Sequence, residues 1–214
     1  CSGPLAQGRP ASYAGVQSSG EEGQVVRYPY TASLYSPEHE IFRESFRRFL
    51  EEEVEPNIER WVENHGMIER EFWLKAGAQG FLGMDIPVEY GGHGGDFLFR
   101  LVIPEELGYS TVGSRFAPAV DNDGTGEIFY KNANEDLRHK WLPKIVRGEV
   151  RFGFAITEPD SGSDVSSIRT TAIRDGDHFV VNGAKTFIGS ANVADHFMVA
   201  AKTDPAAGGK GVSV

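Results

Sequence analysis

A loop rich in hydroxyl and carboxylate groups follows the short apolar run at 152–156. The run predicts a buried strand, and a polar loop directly after such a strand is typical of a segment that binds something. Thr157, Ser161 and Ser163 carry hydroxyls that both donate and accept hydrogen bonds, and Glu158 adds a carboxylate. Together with exposed backbone N–H groups, these side chains could hold an anion or the edge of a heteroaromatic ring. An ordinary strand-to-turn junction has the same composition, so the loop alone leaves both interpretations open.

The composition argues against several classes of function. The chain has 214 residues, of which 40% are hydrophobic and 24% charged, as is typical of a globular protein. No apolar run approaches the roughly 18 residues needed to cross a bilayer, so no membrane span is predicted. The net charge of −10 argues against nonspecific binding to nucleic acid. The only cysteine is Cys1 and the six histidines show no metal-ligand spacing, so neither a disulfide nor a metal site is predicted.

The two ends of the chain differ from its middle. Residues 1–20 are rich in Gly, Ser and Ala and contain one arginine and no acid. We therefore expect a disordered leader over residues 1–33. Residues 211–214 resemble the beginning of a strand, so we expect the last domain to be incomplete.

The first two thirds of the chain show apolar residues at helical spacing. Ser36 followed by Pro37 is a typical helix start, and Pro56 should kink or end that helix. Asp96 and Asn134 are typical caps of two later helices. Helices are predicted from 37 to about 62 with the kink, at 69–79, at 97–110 and from 135 to about 147.

After Gly148 the apolar period changes from that of a helix to that of a strand. Helices followed by strands indicate an α+β protein with segregated domains. The predicted domains are an all-helical one at 34–149 and a β-domain at 150–214. Strands are predicted at 151–157, 169–174, 178–183, 185–189, 196–202 and from 211, with a turn at Asp175 and Gly176.

Two irregular stretches could be ligand sites. The loop at 87–96 places four glycines around His93. It lacks the third glycine of a dinucleotide fingerprint and is not part of a strand–loop–helix unit, so a Rossmann site is rejected. The stretch at 113–126 lacks the closing glutamate of a calcium loop, so a calcium site is rejected as well.

Five separated stretches resemble the acyl-CoA dehydrogenases, the FAD-dependent flavoproteins of fatty-acid and amino-acid oxidation. They keep the order that they have in this family, and together they cover about residues 34–214. The helical part resembles the long-chain branch more than the others. The matching stretches are the glycine loop at 87–96, Leu142-Pro143 with Gly148, the flavin signature at 155–164, the run at 181–188, and Asp195 with 197–204.

The resemblance implies a helical N-terminal domain, a middle β-barrel and a C-terminal four-helix bundle. This chain is expected to contain the first, a truncated antiparallel β-barrel, and none of the third. The complete enzyme is expected to convert acyl-CoA thioesters to trans-2-enoyl-CoA with FAD. The catalytic base is expected beyond residue 214, so the chain alone is expected to be inactive and to bind FAD weakly. Glu158 is expected to bond the local backbone and Asp164 to brace the loop, rather than to act as the base.

The resemblance also implies which residues bind the cofactor. Phe154, Ile156 and Thr157 would lie along the isoalloxazine ring, and Ser163 would also bind the substrate where cofactor and acyl-CoA meet. Phe187 stands where many relatives have a tryptophan on the flavin, although a place in the barrel core stays open for it. The implied cofactor-binding residues are Phe154, Ala155, Ile156, Thr157, Gly162, Ser163, Phe187, Ile188 and Gly189.

One position departs from the family pattern. Two residues after the aromatic, relatives usually have Thr or Ser, whose hydroxyl approaches flavin N5, and this chain has Gly189. Either the next residue, Ser190, replaces that hydroxyl after a local shift, or the contact is made by backbone alone. In the second case we expect a slower hydride transfer.

The resemblance further implies partners and a compartment. The expected partners are an acyl-CoA substrate and an electron-transfer flavoprotein, with a homodimer or homotetramer when the protein is complete. The expected location is the bacterial cytoplasm or, alternatively, the mitochondrial matrix. Two alternatives stay open: an acyl-CoA oxidase or nitroalkane oxidase relative that passes electrons to oxygen, and a non-catalytic relative that serves as a binding module.

Overall fold

The computed structural model describes residues 32–64, 67–110 and 123–214. Nearly all of the expected leader at 1–33 and most of the stretch at 113–126 lie outside these ranges. Helices come first and strands follow, as an α+β arrangement requires. The helices are α1 (Pro37–Phe49), α2 (Ile58–Glu63), α3 (Arg70–Ala78), α4 (Phe97–Tyr109), α5 (Asp123–Asn132) and α6 (Glu135–Val146). The strands are β1 (Phe152–Ala155), β2 (Thr171–Asp175), β3 (His178–Asn182), β4 (His196–Val199), β5 (Ala201–Lys202) and β6 (Val212–Ser213).

The first helical stretch changes its geometry before it ends. α1 begins after Ser36 with Pro37 in its first turn. It passes directly into a π-helical turn at Leu50–Val54 and a 3-10 turn at Glu55–Asn57 before α2 starts. Proline lacks an N–H and its ring collides with the carbonyl of the preceding turn, so Pro56 prevents a regular α-helix there. The predicted interruption at Pro56 is confirmed.

An aromatic cluster forms the centre of the helical part. Phe46, Phe49, Phe72 and Phe81 are almost fully buried, and three ring pairs among them have centroids 5.0–5.4 Å apart. The ring of Trp61 lies 5.4 Å from that of Phe72. Because aromatic rings remove large apolar areas from water, these contacts hold α1, α2 and α3 together.

Polar contacts join α1 to α4. Glu106 is 2% exposed and accepts two hydrogen bonds of 2.9 Å from the guanidinium of Arg47. At the other end of the two helices, Nε2 of His39 lies 3.0 Å from Oδ1 of Asp96, which caps α4 as predicted. The end of the glycine loop at 87–96 is therefore held against α1.

The helix α5 is not predicted by the sequence pattern. It begins at Asp123, and two glycines in its first turns lower its helix propensity by roughly 1 kcal/mol each. Tertiary packing offsets this cost. The ring of Phe129 lies 5.5 Å from that of Phe152, and the ring of Tyr130 lies 5.8 Å from that of Tyr90.

The strands form two small sheets instead of the expected antiparallel barrel. β1 pairs in parallel with β4, and the second sheet has the order β3-β2-β5-β6. In the second sheet β2 runs antiparallel to β3 and parallel to β5. Within the described residues neither sheet closes into a barrel. Parallel neighbours need a long crossover connection, and residues 156–195, which include the β2–β3 hairpin, connect β1 to β4.

The predicted strand at 185–189 is wrong. Phe187 and Ser190 have φ angles of 56° and 59°, which belong to the left-handed region and not to an extended strand. The backbone N–H of Thr186 instead donates to the carbonyl of Thr157 at 2.9 Å. The single strand predicted at 196–202 is divided into β4 and β5, which belong to different sheets.

Asp195 joins the strands to the helical part. Its Oδ2 accepts a hydrogen bond of 2.9 Å from the N–H of Arg151, and its Oδ1 accepts one from Arg70 of α3. Arg151 is itself buried and donates to the carbonyl of Ile68 at 3.2 Å. These contacts fix the starts of β1 and β4 against α3.

Over the ranges that the structure describes, no helix combines the length and apolar character that a membrane crossing requires. In the same ranges, no group of His, Cys, Asp and Glu side chains is arranged to hold a metal ion.

Candidate functional site

Two segments that are distant in the chain meet at the end of β1. One continues from β1, and the other, 183–190, follows β3. The N–H of Thr186 donates to the carbonyl of Thr157 at 2.9 Å, and Nζ of Lys185 donates to the carbonyl of Ile156 at 2.7 Å. The structure therefore brings together the two stretches that contain the expected cofactor-binding residues.

β1 presents alternate residues to two sides. Ala155 is buried, whereas Phe154 and Ile156 are half-buried. Ile188 packs beside the strand, where a β-carbon on Gly153 would meet its Cγ2 at 3.5 Å. Ala155 packs inside the protein, because its carbonyl also accepts a hydrogen bond of 3.0 Å from the N–H of Ala200, whereas Phe154 and Ile156 can offer side chains to a ligand.

Thr157 and Ser163 carry hydroxyls without a hydrogen-bond partner among the described residues. Thr157 is half-buried, and Gly162 and Ser163 are exposed at the tip of the loop. Ser161 differs, because it is buried and its hydroxyl donates to the carbonyl of Asp164 at 2.8 Å. Ser161 therefore shapes the loop, and Thr157 and Ser163 supply the hydroxyls that a ligand could bind.

Phe187 extends away from the protein. It is 92% exposed, so it packs in no core formed by the described residues. Its φ of 56° is unfavourable for a residue with a bulky side chain. A strained backbone that presents a large apolar ring is typical of a residue that packs against a ligand or against another part of the protein.

Gly189 and Ser190 follow in an open turn. No atom lies within 4 Å of the place where a β-carbon on Gly189 would be. The carbonyl of Ser190 accepts hydrogen bonds of 2.9 Å from the N–H groups of Val193 and Ala194. The hydroxyl of Ser190 has no hydrogen-bond partner in the part of the chain that the structure describes, so it is available to a ligand.

The carboxylate of Glu158 lies behind this surface and is 5% exposed. Its Oε2 accepts a hydrogen bond of 2.6 Å from the N–H of Arg169. Its Oε1 accepts hydrogen bonds of 2.9 Å from the N–H of Thr170 and from Nζ of Lys185. The expectation that Glu158 bonds the local backbone is confirmed.

These contacts also decide the protonation of Glu158. Burial by itself raises the pKa of the carboxyl, but hydrogen bonds from Lys185, Thr170 and Arg169 lower the pKa to about 2. An ionised carboxylate with both oxygens occupied is a poor proton acceptor near neutral pH. Asp164 is also engaged, because its Oδ1 accepts from the N–H of Ser166 at 3.1 Å and so braces the loop as expected.

Lys185 takes part in this site although the sequence pattern assigns it no role. Its side chain is 11% exposed, and its ammonium contacts both Glu158 and the carbonyl of Ile156. A lysine within an apolar, strand-like run is the signal that could have identified it, because a buried ammonium requires a carboxylate nearby.

Comparison with protein families matches residues 36–149 to the acyl-CoA dehydrogenase N-terminal domain and residues 153–214 to the acyl-CoA dehydrogenase middle domain. Among curated relatives, a 3-(aryl)acrylate reductase of Clostridium sporogenes is 35% identical over 84% of this chain and 48% of its own length. The mitochondrial long-chain specific acyl-CoA dehydrogenase of Rattus norvegicus is 39% identical over 80% of this chain and 39% of its own length.

Solved structures agree with these relatives. An acyl-CoA dehydrogenase from Geobacillus kaustophilus has a TM-score of 0.78 at 42% identity, over 84% of this chain and 47% of that one. A glutaryl-CoA dehydrogenase from Mycobacterium smegmatis in complex with FADH2 has a TM-score of 0.75 at 30% identity, and the match covers 82% of this chain and 45% of that one. The chain thus spans less than half the length of each of these proteins. With two successive domain models matched in order, the chain belongs to the acyl-CoA dehydrogenase family.

Proposed function

We propose that this chain forms the N-terminal and middle parts of an FAD-dependent dehydrogenase that converts acyl-CoA thioesters to trans-2-enoyl-CoA. One observation carries the proposal: the hydroxyls of Thr157 and Ser163, unpaired within the described residues, lie in the loop that meets the segment presenting Phe187. The two domain matches support it, as does the similarity to a glutaryl-CoA dehydrogenase that was solved in complex with FADH2.

The residues present fit a flavin. A flavin has a flat aromatic ring with one hydrogen-bonding edge, and its isoalloxazine accepts the hydride when it is bound. Phe187 offers a ring to cover the flat face, and Thr157 offers a hydroxyl and a backbone N–H to the polar edge. Donors that face an edge where negative charge develops favour the reduced state.

Ser163 is proposed to bind where cofactor and substrate meet. It is exposed at the tip of the loop beside Gly162, and its hydroxyl has no hydrogen-bond partner in the described ranges. A β-carbon on Gly162 would meet no atom within 4 Å, so a pyrophosphate or the arm of CoA can approach the backbone closely. We assign Ser163 to both ligands.

We place the catalytic base outside this chain. The loop has three carboxylates: Glu158 and Asp164 are held by the local backbone, and Asp160 pairs with Arg169 at 3.0 Å. The chain by itself is therefore proposed to be inactive and to bind FAD weakly. We propose an electron-transfer flavoprotein as the acceptor, a homodimer or homotetramer as the assembly, and the bacterial cytoplasm or the mitochondrial matrix as the location.

The test uses the full-length protein that contains this chain. It is mixed with saturated acyl-CoA thioesters of increasing length without oxygen, and the bleaching of the flavin and the formation of enoyl-CoA are measured. We expect both signals, and protein that binds no flavin and forms no enoyl-CoA would refute the proposal. Release of peroxide in air would identify the oxidase alternative, and flavin binding without any turnover would identify the binding module.

A further inference from the structure

A largely buried cation and a buried carboxylate join three segments behind the candidate site. The side chains of Lys185 and Glu158 are 11% and 4% exposed, and Nζ lies 2.9 Å from Oε1. Nζ also donates to the carbonyl of Ile156 at 2.7 Å. Glu158 in turn accepts from the N–H groups of Arg169 and Thr170, directly before β2. The pair therefore connects the end of β1, the segment at 183–190 and the start of β2.

Stability alone does not account for such a pair. Taking two charges out of water offsets much of their attraction, so a buried pair is often no more stabilising than two apolar residues of similar volume. Lysine and glutamate can pair at the surface at little cost, as Lys75 and Glu53 do at 2.6 Å with the lysine side chain 52% exposed. The burial of Lys185 therefore indicates that its ammonium is needed at this position, beside the carbonyl of Ile156.

The geometry of one peptide unit shows what the ammonium controls. The carbonyl of Ile156 and the N–H of Thr157 belong to the same planar trans peptide, so they point in opposite directions. With the carbonyl held by Lys185, the N–H of Thr157 points away from the pair, and it has no acceptor among the described residues. The carbonyl of Thr157 is in turn held by Thr186.

We propose that Lys185 is a positioning residue that orients the 156–157 peptide, with Glu158 as its counter-charge, so that the N–H and hydroxyl of Thr157 face the flavin edge. The same contacts fix the segment that carries Phe187. The inference rests on the proposed function, because the flavin is the ligand that the oriented donors bind.

The test measures FAD affinity and thermal stability separately in the full-length protein. The variants are Lys185→Met, Glu158→Gln and the double variant, with Lys75→Met as the control at the exposed pair. Lys185→Met and Glu158→Gln each leave one member of the pair without its partner, so each of these two variants is expected to have a lower melting temperature than the wild type. The double variant removes both charges, but glutamine keeps only one of the two oxygens to which the N–H groups of Arg169 and Thr170 donate, so its melting temperature is expected to lie between those of the single variants and the wild type.

The expected result is that the double variant recovers part of the stability that the single variants lose and does not recover affinity. The dissociation constant for FAD should stay at least about tenfold above that of the wild type, while Lys75→Met should stay within about threefold. A double variant that binds FAD within about threefold of the wild type would overturn the proposal. A double variant that does not fold would overturn it too, because the pair would then be purely structural.

A second readout needs no flavin and separates this inference from the proposed function. Hydrogen exchange at the amides of Thr170 and Thr186 is measured in the flavin-free protein. Lys185→Met should accelerate it by about tenfold or more, and Lys75→Met should leave it unchanged. If the wild type binds no FAD, the proposed function is refuted. If hydrogen exchange at Thr170 and Thr186 is the same in Lys185→Met as in the wild type, Lys185 does not orient these segments, and this result is independent of FAD binding.

Discussion

Replacing Glu158 with glutamine should remove stability in a manner that depends on pH. The carboxyl has an ordinary pKa of 4.5 and a pKa of about 2 in the folded protein. A depressed pKa contributes stability that is present above the unfolded value and is lost as pH falls through the folded value. The window of interest is therefore between pH 4.5 and about pH 2.

The loss of stability can be calculated from the difference between the ordinary and the folded pKa of Glu158. A difference of about 2.5 pKa units corresponds to about 3 kcal/mol at 1.36 kcal/mol per unit. A glutamine at this position would keep the shape of the side chain and cannot ionise, so the variant should lack this contribution at neutral pH. At about pH 2 and below, a protonated Glu158 resembles glutamine, and wild type and variant should become similar in stability.

Urea unfolding of wild type and Glu158→Gln at about pH 7 and at about pH 2 measures the effect. The other carboxylates titrate equally in both proteins, so they cancel in the difference between the two free energies of unfolding. Glu53→Gln, at the exposed pair with Lys75, is the control and should cost about 0–1 kcal/mol. A difference between wild type and Glu158→Gln that stays the same at both pH values would refute the reasoning, as would a difference below about 1 kcal/mol at about pH 7.

Three further predictions concern single positions. Gly148→Ala should destabilise the protein by at least about 2 kcal/mol in thermal or urea unfolding, because φ is 69° and the new β-carbon would lie 2.0 Å from the carbonyl oxygen of Trp73. Gly176→Ala, at a φ of 63° in open space, is its control and should cost only about 1–2 kcal/mol. Phe187→Ala should change the free energy of unfolding by less than about 0.5 kcal/mol and still weaken FAD binding in the full-length protein, whereas Phe179→Ala on exposed β3 should leave the binding unchanged. Gly189→Thr should fit without collision and speed flavin reduction in stopped-flow measurements, and an unchanged rate would show that this hydroxyl is not needed.

The elements that the sequence predicted well are those with local causes. Ser36 with Pro37, and the caps Asp96 and Asn134, define helix starts through residues only a few positions apart. The interruption at Pro56 has an equally local cause. The α+β order follows from a change of apolar period, which is also read within short windows.

The secondary-structure predictions that were wrong concern features that depend on contacts between residues far apart in the chain. The alternation at 185–189 predicted a strand, but the backbone is left-handed at Phe187 within this segment and at Ser190 directly after it. The helix α5 forms within a stretch of weak helix propensity because Phe129 packs against Phe152 of β1. The pairing of β1 with β4 and the division of 196–202 between two sheets depend on contacts that no short window contains.

The loop at 157–164 illustrates what the sequence determines and what the tertiary structure determines. Sequence alone determined its composition of hydroxyls and carboxylates, its place after a buried strand and its resemblance to a flavin signature. Only the tertiary structure decided which of these groups remain available. Ser161 and Glu158 are engaged by the protein, whereas the hydroxyls of Thr157 and Ser163 have no partner among the residues that the structure describes. The reason is physical, because a buried charge must find a partner, and Glu158 finds Lys185 27 positions away in the chain.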